Sequence, residues 1–523
     1  EGRRRGPPSH FGSSLSAPGC KARVISAWHG AACRGARAAW TAMASYDFDL
    51  FVIGGGSGGL AAAKVAADLG VKVAVADFVT PSPAGTTWGL GGTCVNVGCI
   101  PKKLMHISSL YRDTQGDLAG IGWDTKSSHS WLDMVTKIDN HIKSLNWGAK
   151  TELRSKNIKY YNALATFDDP HTVSLDDGNG KVEKATFKYC IIACGGRPNY
   201  GGYPGVEECC VSSDDIFWQK KPPGKTLVVG ASYIALECAG FLAGFGFDTT
   251  VMVRSILLRG FDQDIANKIG DYMERKHVKF ARGMVPSKFE KLPSGQVKVY
   301  VNDAEYGIFD TVLMAVGRTG LAGQLNLKAA GLDFIESNGK VKVNEADQTS
   351  VPHIYAIGDV IDGMPELTPV AVQAGRLLVR RLFGGATKIM DYTDVATAVF
   401  TPIEYGAVGY GEEEAIKKLG KENIKVYHTI AAPLEWNLSS ERANDQGYMK
   451  VICDKSKGEL VVGAHILGPH AGEVVQGLSV ALKCGMTKEH LDDTVGIHPT
   501  FAEGYTTMVE EKVEGKALAK ASC

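Results

Sequence analysis

Two stretches of this chain repeat one uncommon pattern, and the repetition limits the fold more than any other feature. The first stretch, YDFDLFVIGGGSGGLAAAKVAADLGVKVAVAD, begins at Tyr46. An apolar strand over 50–53 runs into Gly54, Gly56 and Gly59, then an Ala-rich helix, then a second strand ending at Asp77. Glycines at this spacing allow a tight turn, close approach of backbone to a pyrophosphate, and close packing of helix on strand. The helix N-terminus offers free N–H groups and a positive dipole end to phosphates. Asp77, about twenty residues on, is placed to accept hydrogen bonds from a ribose hydroxyl.

The second stretch reads KTLVVGASYIALECAGFLAGFGFDTTVMVRSILLRGFD. Gly230, Ser232 and Ala235 take the three glycine positions between a strand over 227–229 and a helix. Ser and Ala depart from the strict motif, but both are small and the third position tolerates Ala. Where the first unit has Asp77, this one has Val253-Arg254, with Arg259 close behind. Arginine cannot accept from a ribose 2′-hydroxyl, but it pairs with a 2′-phosphate. The first site therefore reads as one for an adenosine diphosphate with free hydroxyls, and the second as one for NADPH. Two such units in one polypeptide point to two cofactors that pass electrons between them.

The 523 residues suffice for three or four lobes of ordinary domain size. Lys+Arg and Asp+Glu balance at 57 each, so no global charge favours nucleic acid or a membrane surface. The sequence shows no apolar run of the length a membrane span needs. Its twelve cysteines are scattered, unlike those of a secreted disulfide scaffold. Cys190, Cys194, Cys238, Cys453 and Cys484 sit in apolar contexts and are expected to be inert buried thiols. The adjacent Cys209 and Cys210 leave a redox role open. Residues 1–42 carry seven Lys/Arg against Glu1 alone, a composition that suits an organelle transit peptide. Mitochondrial targeting is expected from it; the alternative is a cytoplasmic form starting at Met43.

Just after the first unit stands WGLGGTCVNVGCIPKKLMH, with four residues between Cys94 and Cys99. Zinc sites usually want shorter spacing and a second ligand pair, and the sequence offers none. A disulfide needs Cα atoms within about 4.4–6.8 Å, whereas positions i and i+5 of a regular helix differ by roughly 7.5 Å in rise alone. The segment must be tightened or kinked, and Gly98 with Pro101 supplies what that needs. Lys102, three residues beyond Cys99, can share its helix face and favour a thiolate.

The segment GGTCVNVGCIPKK resembles the active-site helix of the flavoprotein disulfide reductases. With SLNWG (144–148) and VRSILLRGFDQ (253–263), the longer match is similar to the high-molecular-weight thioredoxin reductases, from about Tyr46 to the C-terminus. The resemblance implies FAD in the first site, with Thr93 beside it, and NADPH in the second. It makes Cys99 the thiol next to the flavin and Cys94 the interchange thiol that attacks the next disulfide. Lys102 would lie near the flavin paired with Glu237, and Tyr233 would gate the nicotinamide pocket. Asp359, in IYAIGDV, would hold the ribityl chain. IIACGGRP, with Gly195, and VLMAVGRTG, with Gly317, match the crossings between the two nucleotide domains.

Near the C-terminus stands GIHPTFAEGY. An imidazole is the natural proton shuttle for a thiolate near neutral pH, and a carboxylate can fix its tautomer. In the family, His498 and Glu503 would form the catalytic dyad supplied across the interface of a homodimer. The chain then runs on through GYTTMVEEKVEGKALAKASC, similar in length to the thioredoxin reductase tail. That tail is expected to end in Cys-Cys or Cys-selenocysteine plus a final residue, beginning here with Cys523, and a UGA codon for selenocysteine read as a stop is the expected reason that the sequence closes at Ser522-Cys523. Glu510, Glu511 and Glu514 make this tail more acidic than is usual in the family.

The expected fold is α/β, with two Rossmann-like domains and a C-terminal α+β dimerisation domain. After a leader (1–45), an FAD domain (46–197 and 325–398) encloses an NADPH domain (198–324). An interface domain (399–507) and a redox tail (508–523) follow. Electrons would pass from NADPH through FAD and Cys94–Cys99 to the tail and then thioredoxin. No metal, membrane or nucleic acid is expected. A glutathione reductase-like activity, or action on small acceptors only, is the alternative.

Overall fold

A computed structural model of the chain describes residues 45–438, 442, 444–513, 515–516 and 518. The leader apart from its last residue, Glu514 and Cys523 lie outside the described residues. Strand β1 (Phe48–Ile53) passes through Gly54 into helix α1 (Ser57–Asp68), and the chain returns as β2 (Val73–Asp77), parallel to β1 with Ile53 opposite Ala76. Small residues let these elements approach. A Cβ on Gly59 would lie 2.0 Å from the Gly54 carbonyl oxygen, so only glycine fits there. Gly54, at φ +114°, turns the chain where a side chain would run into the backbone of Ala193, 2.2 Å away.

This first sheet extends through β3 (Val182–Ile192), parallel to β1, and Ile354–Ala356, parallel to β3 on its far side. The last strand arrives from well over a hundred residues downstream, so the unit is built from two pieces of chain. A second sheet contains β4 (Thr226–Val229), β5 (Thr249–Val253) and β6 (Thr311–Met314), all parallel, with Lys279–Arg282 and Val211–Ser212 at its edges. Helix α4 (Tyr233–Gly244) follows β4. Its residues 235–242 are all buried, in keeping with an apolar sequence that has few charges. A short antiparallel ribbon, Gly196–Pro198 against Arg318–Gly320, carries the chain between the two sheets.

The third sheet is antiparallel, in the order Thr397–Val399, Tyr405–Gly409, Leu460–Leu467, Gly447–Asp454 and β7 (Ile424–Ala431). It starts at Thr397, so residues 397 and 398, assigned from sequence to the FAD domain, pair instead with the interface sheet. Alternation along these strands is weak because Gly447–Asp454 is buried at every position. Among the described residues, no helix is long and apolar enough to cross a membrane.

Candidate active site

The first cleft opens above the carboxyl ends of β1 and β2, where ligands of parallel sheets bind. Gly54, Gly56, Asp77, Thr93, Gly195, Asp359 and the start of α1 line it. Its floor is bare backbone: a Cβ on Gly92 would lie 2.7 Å from the Gly56 Cα, leaving a groove that a pyrophosphate can enter. The Gly55 N–H donates to Asp77 Oδ1 at 2.9 Å, orienting the carboxylate. Burial pushes the Asp77 carboxyl up to about 6, opposed by that hydrogen bond. Ribose hydroxyls donating to it would favour its charged form. Groove, helix terminus and carboxylate together fit the adenosine end of FAD.

A second cavity of about 330 Å³ lies between the two nucleotide units. Thr93, Cys94, Cys99, Lys102, Tyr233, Glu237 and Asp359 all line it. Thr93, Cys94 and Asp359 also line the first cleft, so one elongated ligand can reach both. The apolar Val97, Phe217, Leu367 and Phe400 in its wall suit a flat aromatic ring system. Burial and the neighbouring Glu366 raise the Asp359 carboxyl, while Arg318 and Lys340 oppose the shift.

The cysteines stand on either side of a broken helix. Cys94 lies in α2 (Gly92–Val97), and Cys99 opens α3 (Cys99–Gly120). Gly98 joins them; a Cβ there would lie 2.9 Å from the Thr93 carbonyl oxygen, so glycine permits the tight junction. Pro101 is buried in the first turn of α3, where its missing N–H costs nothing. Both sulfurs are free thiols. The hydrogen bond from Cys94 lowers Cys99 to about 6 against the opposing effect of burial, with Thr368 and the Lys102 cation also acting downward. The same bond, with burial, raises Cys94. The reduced pair is thus polarised, with thiolate at Cys99 and the proton on Cys94.

Lys102 Nζ donates to Glu237 Oε1 at 2.8 Å, and the same oxygen accepts from the Phe400 N–H at 2.8 Å. Glu237 is buried, so this pair pins α3 to α4 from inside. His498 Nδ1 lies 3.0 Å from Glu503 Oε2, but neither residue lines the cavity of its own chain. His498 is 65% exposed, beside Val495 and Ile497 at 93% and 75%.

Residues 48–375 match a family model described as pyridine nucleotide-disulphide oxidoreductase, and residues 395–509 match the dimerisation domain of the same description. Thioredoxin reductase SEP1 of Emiliania huxleyi is 54% identical over 496 residues, spanning 92% of this chain and 99% of that protein. The chain belongs to the pyridine nucleotide-disulphide oxidoreductases. It is an NADPH- and FAD-dependent enzyme of that family.

Several residues of this oxidoreductase's site carry no local sequence signal. Thr368 Oγ1 lies 3.6 Å from Cys99 Sγ, contributed by helix α5 (Thr368–Phe383). The Thr-Pro pair marks that helix start, but nothing nearby tells that it faces the cysteines. Arg318 donates to Thr93 Oγ1 at 3.3 Å from the inter-sheet ribbon. On α3, Lys103 and His106 reach Glu404 at 2.7 and 3.1 Å. Burial acts upward on Glu404, yet these two partners hold it at about 2.

One expected position shifts by a residue, and two expectations about cysteines need correction. Gly54 N–H bonds to Ala76 and Gly230 N–H to Met252, so Val253 stands where Asp77 does and Arg254 lies one residue farther on. Arg254 is exposed beyond the strand end, and Arg259 donates to Ser255 within the same loop. Gln263 holds the loop by donating to the carbonyls of Leu257, Leu258 and Phe261. Among the cysteines expected to be buried, Cys484 is exposed at the end of Ala471–Lys483, and Cys194 lines the first cleft. Cys209 and Cys210 are both buried free thiols, raised by burial, with nothing about them to suggest exchange.

Proposed function

We propose that this enzyme is a thioredoxin-disulfide reductase, acting as a homodimer whose sites combine residues of two copies. The observation that carries the reading is the pair Cys94–Cys99, set on either side of Gly98 in a cavity between two nucleotide units, with the acid–base pair His498–Glu503 set apart on an exposed apolar face. A second copy seated on that face would bring His498 to the cysteines. The relative's name supports thioredoxin as final acceptor, and the residues running on from Glu503 to Cys523 are where a further carrier between Cys94 and thioredoxin would lie.

Cys94 loses its proton to His498 and attacks one sulfur of the acceptor disulfide, forming a mixed disulfide. The expelled thiolate takes the proton back from His498. The Cys99 thiolate then attacks the Cys94 sulfur, closing the Cys94–Cys99 disulfide and releasing the second thiolate, so two electrons have reached the acceptor. Bound FAD supplies the two-electron chemistry by which NADPH returns the pair to dithiol. Glu503 holds the imidazole, Lys102 and Glu237 hold α3 beside the ring pocket, and Tyr233 covers the nicotinamide side.

Steady-state NADPH oxidation with thioredoxin and with oxidised glutathione tests the reading. Thioredoxin is expected to be the better acceptor by at least about tenfold in kcat/KM, about 1.4 kcal/mol; the reverse order would make the enzyme glutathione reductase-like. Arg254→Ala with Arg259→Ala probes the second site. Each charged hydrogen bond lost is worth about 1.5–3 kcal/mol, so each arginine removed should raise KM for NADPH by roughly ten- to a hundredfold, and the two together by about the product, while kcat with saturating NADPH holds. An unchanged preference for NADPH over NADH would remove these arginines from the phosphate site.

A further inference from the structure

The C-terminal segment is tied down before the described chain ends. Strand β7 is an edge of the interface sheet, and residues 510–512 fill that edge. The His428 N–H donates to the Glu510 carbonyl at 3.1 Å and the Lys512 N–H to the Val426 carbonyl at 2.8 Å, with Tyr427 opposite Glu511 in antiparallel register. Two backbone bonds on an open edge would fray readily. The Lys512 side chain adds what they lack.

Lys512 Nζ reaches Glu412 Oε2 at 2.7 Å and Asp264 Oδ2 at 3.3 Å. Glu412 begins the helix Glu412–Leu419, and Asp264 lies in the first turn of Gln263–Arg275, so the contact spans the interface domain and the NADPH domain. Both carboxylates belong to a cluster built around Lys450, which has no exposed side-chain surface. Lys450 Nζ bonds both oxygens of Asp262 at 2.9 Å and Glu412 at 2.8 Å, and lies 3.4 Å from Asp264. The Tyr448 hydroxyl donates to Asp264 at 2.9 Å, and Lys268 stands 3.5 Å from it. Asp262, Asp264 and Glu412 face Lys450, Lys268 and Lys512, so charge balances only when Lys512 is in place. A lone surface ion pair contributes little because both side chains must be ordered. Here the buried lysine has already ordered the carboxylates.

We propose that Lys512 is the positioning residue that fixes the root of the C-terminal arm to the edge of the interface sheet. The anchoring stands on these contacts alone; its consequence for turnover rests on the tail relay proposed above. A free chain spans at most about 3.3–3.6 Å per residue, so releasing 509–512 lengthens the arm by up to roughly 14 Å. A longer tether lowers the effective concentration of its end at the acceptor site.

Hydrogen exchange on the purified holoenzyme, read by mass spectrometry, tests the anchor. Peptides covering 424–430 and 508–513 should exchange slowly in the wild type. In Lys512→Met, which keeps the aliphatic stem, both should exchange at least about tenfold faster, and Lys512→Arg should restore protection. Thioredoxin-dependent kcat should fall several-fold in Lys512→Met, while single-turnover reduction of Cys94–Cys99 by NADPH stays at the wild-type rate. Equal exchange in wild type and Lys512→Met overturns the anchor, and faster exchange with unaltered thioredoxin turnover overturns its positioning role. If the wild type protects both peptides, Lys512→Met loses that protection and no form reduces thioredoxin, the anchor stands and the acceptor assignment falls.

Discussion

Cys94→Ser is expected to lower NADPH-dependent disulfide turnover by about a thousandfold or more, because the group that attacks the acceptor is gone. The serine hydroxyl can still donate to the Cys99 sulfur, so the thiolate there should survive. Cys99→Ser should be as inactive, since no sulfur remains to resolve the mixed disulfide. The two differ in titration. The Cys99 thiol has its pKa lowered to about 6, so thiolate is present above that pH and lost below it. Turnover in the wild type should therefore fall as pH drops through about 6, and the ultraviolet absorbance of reduced Cys94→Ser should show the same thiolate titrating. Residual turnover in Cys94→Ser above a tenth of wild type would mean that electrons leave the enzyme by another route.

His498→Gln should reduce kcat by about 10²- to 10⁴-fold, the range set by removing a general acid–base group. Cys94 needs this residue because its thiol is raised in the reduced pair and must give up a proton before attacking. Whether His498 acts on its own chain or on a second copy is open to a mixing experiment. In a heterodimer of His498→Gln and Cys94→Ser chains, a shared site reunites one intact Cys94 with one intact His498. Random exchange of equal amounts should then restore about a quarter of wild-type activity, half the dimers each carrying one working site. No recovery, in a mixture shown to have exchanged subunits, would place acid–base chemistry and cysteines within one chain.

Much of this protein is legible in its amino-acid sequence. The glycines of 54–59, the small residues of 230–235 and the broken Cys94–Cys99 segment act through backbone sterics within a few residues, and such constraints are written locally. The pairing of Lys102 with Glu237 follows from the resemblance and not from spacing, because 135 positions separate them.

Other features were decided by packing alone. Arg254 stands one residue beyond the place of Asp77, which depends on where each strand ends in its sheet. Thr368 beside Cys99, Arg318 beside Thr93, and Glu404 under α3 come from remote elements folded into contact. The shifts of Asp77, Cys94 and Cys99 follow burial and partner geometry, which a residue list does not contain. The same holds for the arm's root: Lys512 looks like any charge in a polar tail until β7 offers an open edge and Lys450 a buried cluster. Local sequence determines where the backbone can turn and which groups are available. Only tertiary structure sets which of them share a low-dielectric space, and electrostatics there depends steeply on distance and desolvation.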